Sequence, residues 1–332
     1  MWKLWFNMAL SSLLYFCFSS CVHAWDKGIY LTQYMLEKPD KLNYFIKEAK
    51  ETGINTFVID HDYYSSHFAP SIQKVKAAGI KCVARIVVFS NGGNVEQIKS
   101  KEHWEKILKL ANDAIKSGVD VIQLDYIRYS SKEPANPQHA KDIHKIITWF
   151  RERINAEKIP MEIDIFGEVS YYPSLHIGQD LKLFADSVDG MNPMVYPSHF
   201  WPYQKYSAEP YKTVNNSLNA LTGQFDHKTP FKVHAFIEAA NFHYLKKTSN
   251  AQKQKYLLQE IRAVEDAKNV SGWYVWSANN VYDNLFIVLK NNKTRAADGL
   301  DSETVKKEAA SKDNSKDKKS PAGYLERVLN YL

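Results

Sequence analysis

The chain has 332 residues, 45% of them hydrophobic and 13% aromatic, with a formal net charge of +6. That much apolar material can bury a barrel-sized core, which excludes a disordered chain and leaves one large domain or two small ones. Acidic and basic residues are interleaved rather than gathered into a basic stripe, so the charge speaks against a nucleic-acid partner.

Residues 1–24 read as an export signal. Lys3 supplies the positive start, Met8 to Phe18 the apolar run and Val22-His23-Ala24 a small-residue cleavage site, which puts the mature start near Trp25. A second reading takes Phe18-Ser19-Ser20-Cys21 as a loose lipoprotein box, with a lipid anchor on Cys21; a third retains the segment as an anchor. The first two place the protein outside the cytoplasm, periplasmic, secreted or bound to the cell envelope. No second apolar run of about 18 residues follows, so no other membrane span is expected. Once Cys17 and Cys21 are removed only Cys82 remains, a small core residue in Cys82-Val83-Ala84 with no disulfide partner.

From there strand and helix patterns alternate. Gly28 to Thr32 is a first strand, and Pro39 to Thr52 a helix opened by Pro39-Asp40 and stopped by Gly53. Asn55 to Asp60 is a second strand, followed by a helix from Pro70 to Ala78; Ile80 to Phe89 is a third, followed by a helix from Glu102 to Ser117. The fourth strand lies in Val119 to Ser130 (VDVIQLDYIRYS), which begins apolar and ends on Asp125, Tyr126, Arg128 and Tyr129. An amphipathic helix, Pro137 to Ala156, carries Ile143, Ile146, Ile147, Phe150 and Ile154 at helical spacing. Met161 to Phe166 is the fifth strand and Val188 to Tyr196 the sixth, with a helix near Pro210 to Gln224. Phe231 to Glu238, a helix near Ala251 to Lys268, Gly272 to Ser277 and a last helix over Asp283 to Leu289 complete the series.

Eight strand and helix pairs in this length predict an α/β chain folded as a (β/α)8 (TIM) barrel over residues 25–290. The strands are apolar throughout, as parallel strands covered on both faces are. An open doubly wound sheet is the alternative, but the first strand runs into Gln33-Tyr34-Met35 with no phosphate-binding glycine loop. Residues 291–322 become rich in Lys, Asp, Glu and Ser and read as a disordered charged linker. Gly323 to Leu332 is apolar enough for a short terminal helix.

In such a barrel only residues at the carboxyl ends of strands meet at one face. Those ends offer Asp60 and Asp62, then Asp125 and Arg128, then Asp164 with Glu168 beyond, then Asn192, Tyr196 and His199, then Glu238, and finally Trp276. Two carboxyl groups across a cleft are what glycosidic bond cleavage needs, one protonated as acid and one ionised as nucleophile or base. Trp201, Tyr203, Tyr171, Tyr172 and Trp276 add rings on which sugar C–H faces stack. Asp125 beside Arg128 also reads as a rim ion pair, and the aromatics as rim packing. His61, His199, His234 and Glu238 are the rival metal ligands, but no H-x-H or H-E-x-x-H spacing joins them, and no metal or other cofactor is expected. A G-x-S-x-G elbow for acyl transfer is missing.

In order along the chain, the runs FVIDHD, ARIVVF, VIQLDYIRY, DIFG, MNPMVYPSHF and GWYVWSANNVYDN resemble a glycoside hydrolase (β/α)8-barrel domain family, itself distantly similar to the α-amylase-type barrels. The resemblance spans about Lys27 to Leu289. It implies a retaining-type site with Asp125 as nucleophile or stabiliser and Asp164 as general acid/base. Two departures stand out. The family's seventh strand usually reads R-P-W-L-Q, where this chain has Val233-His234-Ala235-Phe236-Ile237-Glu238. The α-amylase-type fifth-strand acid is usually Glu rather than Asp164, so Glu168 or Glu238 is the alternative acid. Asp60, Asp62, Tyr126, Arg128, Tyr196, His199, Trp201 and Trp276 are then the expected substrate-binding residues. The substrate is expected to be a polysaccharide or oligosaccharide, and a non-catalytic glycan-binding barrel of the cell envelope is the alternative function.

Overall fold

The computed structural model describes residues 25–239 and 248–297. The segments expected to be an export signal or Cys21 lipoprotein box, most of the expected charged linker and the expected terminal helix lie outside the described residues.

Eight parallel strands close into one barrel in chain order: β1 (Asp26–Leu31), β2 (Thr56–Asp60), β3 (Lys81–Val87), β4 (Val121–Asp125), β5 (Met161–Phe166), β6 (Gly190–Met194), β7 (Lys232–Glu238) and β8 (Gly272–Trp276). β8 pairs back onto β1, with Gly28 opposite Tyr274, so no edge strand is left open. Around it run α1 (Gln33–Glu37), α2 (Pro39–Thr52), α3 (Phe68–Ala77), α4 (Val95–Lys99), α5 (Lys101–Lys116), α6 (Gln138–Asn155), α7 (Leu181–Phe184), α8 (Tyr203–Ala208), α9 (Pro210–Gly223), α10 (Asn250–Glu265) and α11 (Asp283–Ala297). The sequence signals explain their ends. Pro39 opens α2 and Gly53, at φ 79°, closes it; Ser100 caps α5 by accepting from the His103 N–H at 3.2 Å. α11 runs on to Ala297, past the barrel end expected at residue 290.

The fifth crossover departs from strand–helix alternation. After β5 come a 3-10 turn (Gly167–Ser170), a long loop, the four-residue α7 and a second 3-10 turn (Ala185–Ser187) before β6. Pro173 and Gly178 interrupt any helix there, and Gln179 pins the loop to the strand. Its side chain accepts from the Phe166 N–H at 2.9 Å and donates to the Asp164 carbonyl at 3.2 Å. One wall of the barrel mouth is therefore a loop rather than a helix.

Alternation along the strands sorts side chains into two shells. Residues such as Ile29, Phe57, Ile59, Ala84, Ile122, Leu124 and Ile163 pack outward in the large core under the helices. Inward, Val58, Val83, Val121, Phe236 and Tyr274 form only a small apolar cluster. The rest of the lumen is polar, where barrels of this type are usually filled by branched aliphatics. At its base Lys81 Nζ lies 2.8 Å from Asp26, and His234 bridges Asp26 (3.0 Å) to Glu162 (3.4 Å). Asn192 Nδ2 then donates to both Glu162 (3.1 Å) and Asp164 (3.3 Å). Burial alone would lower the His234 pKa, but Glu162 and Asp26 outweigh it and raise it. Gly190 makes room for this file: a Cβ there would sit 2.7 Å from the Glu162 side chain.

Candidate active site

A cleft of about 680 Å3 opens at the carboxyl ends of the strands. Its floor is built from residues one step past the aliphatic barrel layer. Arg85 points inward from β3, its side chain 13% exposed, and pairs with Asp60 and with Asp125, whose Oδ2 lies 2.9 Å from Arg85 Nε. Asp164 Oδ2 lies 3.9 Å from the same nitrogen. Tyr30 donates its hydroxyl to the other oxygen of Asp60. Leu124 pairs with Ile163 in the β4–β5 register, so Asp125 and Asp164 follow side by side on neighbouring strands.

Asp125 is further fixed by its own chain. Tyr126 adopts φ 52°, a left-handed conformation rare for a bulky residue, and its N–H turns back to Asp125 Oδ1 at 2.5 Å. Asp164 is fully buried; burial first, and then the charge of Asp125, raises its pKa well above the carboxylate range against the pull of Arg85 and Asn192. The floor therefore holds Asp125 in contact with a guanidinium beside a second carboxyl, Asp164, whose environment favours the protonated form more than water does.

The fifth-crossover loop supplies Glu168, Tyr172 and Ser174 to the wall. Glu168 has no cation beside it: burial alone pushes its pKa up to about 7, and Oε1 is buried without a hydrogen-bond partner. Opposite stand Tyr196 and Trp276, their rings 5.5 Å apart, with His199, exposed, 5.2 Å from Tyr196. Tyr126 and Arg128 complete the lining from the β4 side, and Phe166, Phe200 and Tyr203 add rings.

Of the residues expected from the sequence, the structure gathers Asp125, Asp164, Tyr126, Arg128, Tyr196, His199 and Trp276 on the cleft. Asp60 lies beneath it in the Arg85 network. Four placements differ from the expectation. Glu238 does not line the cleft; it accepts from the Ser198 N–H (2.8 Å) and hydroxyl (2.7 Å) and so ties β7 to the loop after β6. Asp62 is exposed beyond β2, where its N–H donates to the Gln33 side chain. Trp201 is 43% exposed and meets Tyr203 edge-on at 5.4 Å, outside the cleft lining. Arg128 makes no ion pair with Asp125, whose cation is Arg85. Nor do the rival ligands converge: His61 faces Asp113 at 3.0 Å against the outer helices and His234 lies in the lumen. Among the described residues no group of three or more His, Cys, Asp or Glu side chains is placed to hold a metal ion.

Arg85 is the functional residue that the sequence reading passed over. Its signal is parity: Val83 faces the lumen, so Arg85, two residues on, does too, and an inward cation in a parallel strand needs carboxylates to meet it.

A closed parallel barrel with carboxyl groups gathered in a cleft at its carboxyl-terminal mouth is the arrangement in which barrel enzymes place their active sites. Residues 91–282, more than half of the chain, match the family described as "Putative glycosyl hydrolase domain", and the chain belongs to that family of glycoside hydrolases. Among solved structures its fold is similar to the endo-β-1,4-mannanase of Thermotoga petrophila (12% identity, TM-score 0.56, covering 83% of this chain and 78% of that one). It is also similar to the spore cortex-lytic enzyme SleL of Bacillus cereus (11%, 0.55, 80% and 73%). A third is a GH18 chitinase of Pseudoalteromonas aurantia (12%, 0.53, 79% and 97%). At these identities the likeness is one of fold. No curated protein matches the chain in sequence.

Proposed function

We propose that the chain is an exported hydrolase that cleaves glycosidic bonds of a polysaccharide or oligosaccharide in this cleft. Asp125 acts at the anomeric carbon and Asp164 is the general acid/base. The observation that carries the reading is the asymmetry of the two neighbouring carboxyls: Asp125 lies in direct contact with Arg85, whereas Asp164 is buried, 3.9 Å from that guanidinium, with its pKa pushed up by burial and by Asp125. Asp164 gives its proton to the leaving oxygen as the C1–O bond breaks, and Asp125 bonds to or stabilises C1 from the other side. Water then attacks C1 and loses a proton to the Asp164 carboxylate, restoring both groups. Tyr196 and Trp276 offer the stacking faces. The reading of residues 1–24 as an export signal is what supports a location outside the cytoplasm.

A second reading gives the acid role to Glu168, favoured by its unpartnered Oε1 and by burial without a compensating cation. Leaving-group dependence separates the two. Replacing the true acid (Asp164→Asn or Glu168→Gln) slows hydrolysis of unactivated substrates about 10²–10⁴-fold. The same variant recovers on aryl glycosides whose phenol needs no proton. Asp125→Asn recovers on neither. If all three variants keep wild-type rates on both substrates, the assignment is wrong. If the wild type binds glycan and cleaves none, the chain is the non-catalytic barrel.

A further inference from the structure

Arg128 sits in the cleft lining, is 8% exposed, and has no carboxylate within ion-pairing distance among the described residues. Its place is built by several elements. The guanidinium lies between the rings of Tyr126 (5.2 Å) and Phe166 (5.0 Å), and Nη1 donates to the Tyr129 carbonyl at 2.9 Å. The Asn91-Gly92-Gly93 loop closes over it, joined to the strand by the Gly93 N–H to the Arg128 carbonyl at 2.9 Å. Gly92, at φ 85°, is required here, because a Cβ would lie 2.6 Å from Arg128 Nη1. Nε is sealed from solvent without a partner, and Nη2 has no acceptor, among the described residues.

A buried guanidinium without an anion is costly, and stacking on two rings offsets only part of that cost. Asp125 acts on Arg128 at longer range but makes no contact with it, since it is committed to Arg85. Exposed Lys132 and the hydroxyls of Ser130 and Ser131 line the same side of the cleft. A carboxylate reaching the guanidinium from the cleft would give it a charged acceptor, a stronger partner than a neutral sugar hydroxyl.

We propose that Arg128, with Lys132 beside it, forms a subsite for the carboxylate of an acidic sugar unit, so that the glycan taken by the cleft is anionic. This rests on the reading of the cleft as a glycan site, but its test is binding and needs no turnover. Affinity electrophoresis at about 0.15 M salt, where exposed charges are screened beyond about 8 Å, compares a native polyuronate, its carboxyl-reduced neutral counterpart and a sulfated neutral polymer. The wild type is expected to bind the polyuronate at least tenfold more tightly than the carboxyl-reduced polymer. Arg128→Gln is expected to bring the two together and Arg128→Lys to fall between, with circular dichroism checking the fold of each. If Arg128→Gln does not fold, the wild-type preference and the Arg128→Lys value decide. Equal wild-type affinity for the native and reduced polymers, full discrimination in a folded Arg128 variant, or a preference for the sulfated polymer would each overturn the proposal. Reducing-end release measured on the same polymers is independent, so a binder that does not cleave refutes the hydrolytic reading and leaves this one standing.

Discussion

On the floor of the cleft Arg85 meets Asp60, Asp125 and Asp164, whereas on the wall Arg128 meets two rings and a backbone carbonyl. The carboxyls divide in the same way: Asp125 rests against a guanidinium, while Glu168 has an oxygen with no partner. Both sides are enclosed, so burial does not distinguish them; partnership does. The difference teaches where the cleft is preorganised and where it is left to be completed by a substrate. A fully paired floor keeps its geometry when the cleft is empty, and an unpaired wall gains its missing partners on binding.

The largest effect expected from this contrast is on stability. Arg85→Leu strands three buried carboxyl groups without their cation and is expected to cost about 3–5 kcal/mol, read as a lowered urea midpoint at unchanged slope. Arg128→Gln strands no carboxylate and is expected to stay within about 1 kcal/mol of wild type. Equal losses for the two variants would erase the contrast between floor and wall.

The next effect is on pH dependence. Glu168 holds its proton in the folded chain up to about pH 7 and releases it near 4.5 when unfolded. Between those values the folded state binds more protons, so this group makes stability fall as pH rises from about 4.5 to about 7. Glu168→Gln is expected to remove that part of the slope in denaturation curves taken across the range. Glu238, also raised to about 7 by burial, keeps its own part of the slope in the variant. An unchanged slope would mean that the wall carboxyl is solvated or paired after all.

The smallest effect concerns Cys82, on the outer face of β3 three residues before Arg85. Burial, helped by the charge of Asp120, pushes its thiol up to about 12. In wild type and in Arg128→Gln it is expected to resist thiol reagents until the chain unfolds, whereas Arg85→Leu shortens the time to labelling. Prompt labelling of the native wild type would show that the β3 region opens without any break in the floor.

The barrel itself was legible in the sequence because its strands are short apolar runs punctuated by Gly and Pro, and β5 matches its expected bounds of Met161 to Phe166. Asp125, Asp164 and Tyr196 were legible as polar residues at strand ends. What escaped had a different cause in each case. Arg85 sits inside ARIVVF, where a lone cation looks like surface unless the inward parity is followed from Val83. Glu238 ends a strand just as Asp125 does, and only the path of the loop through Ser198 turns it away from the cleft. Trp201 and Tyr203 are near neighbours in sequence, yet only Tyr203 reaches the lining, because rim aromatics follow loop geometry rather than strand period. The fifth crossover, with its single four-residue α-helix, was foreshadowed by Pro173 and Gly178, but their effect on the shape of the wall depends on the Gln179 clamp.

The most direct test of the central claim is reducing-end release from the acidic polymer that binds best, with wild type and Asp125→Asn compared in one experiment. The account predicts steady release by the wild type and a loss of about 10³-fold or more in a folded Asp125→Asn, since it proposes that this carboxylate acts at the anomeric carbon. Release by Asp125→Asn at the wild-type rate would contradict it.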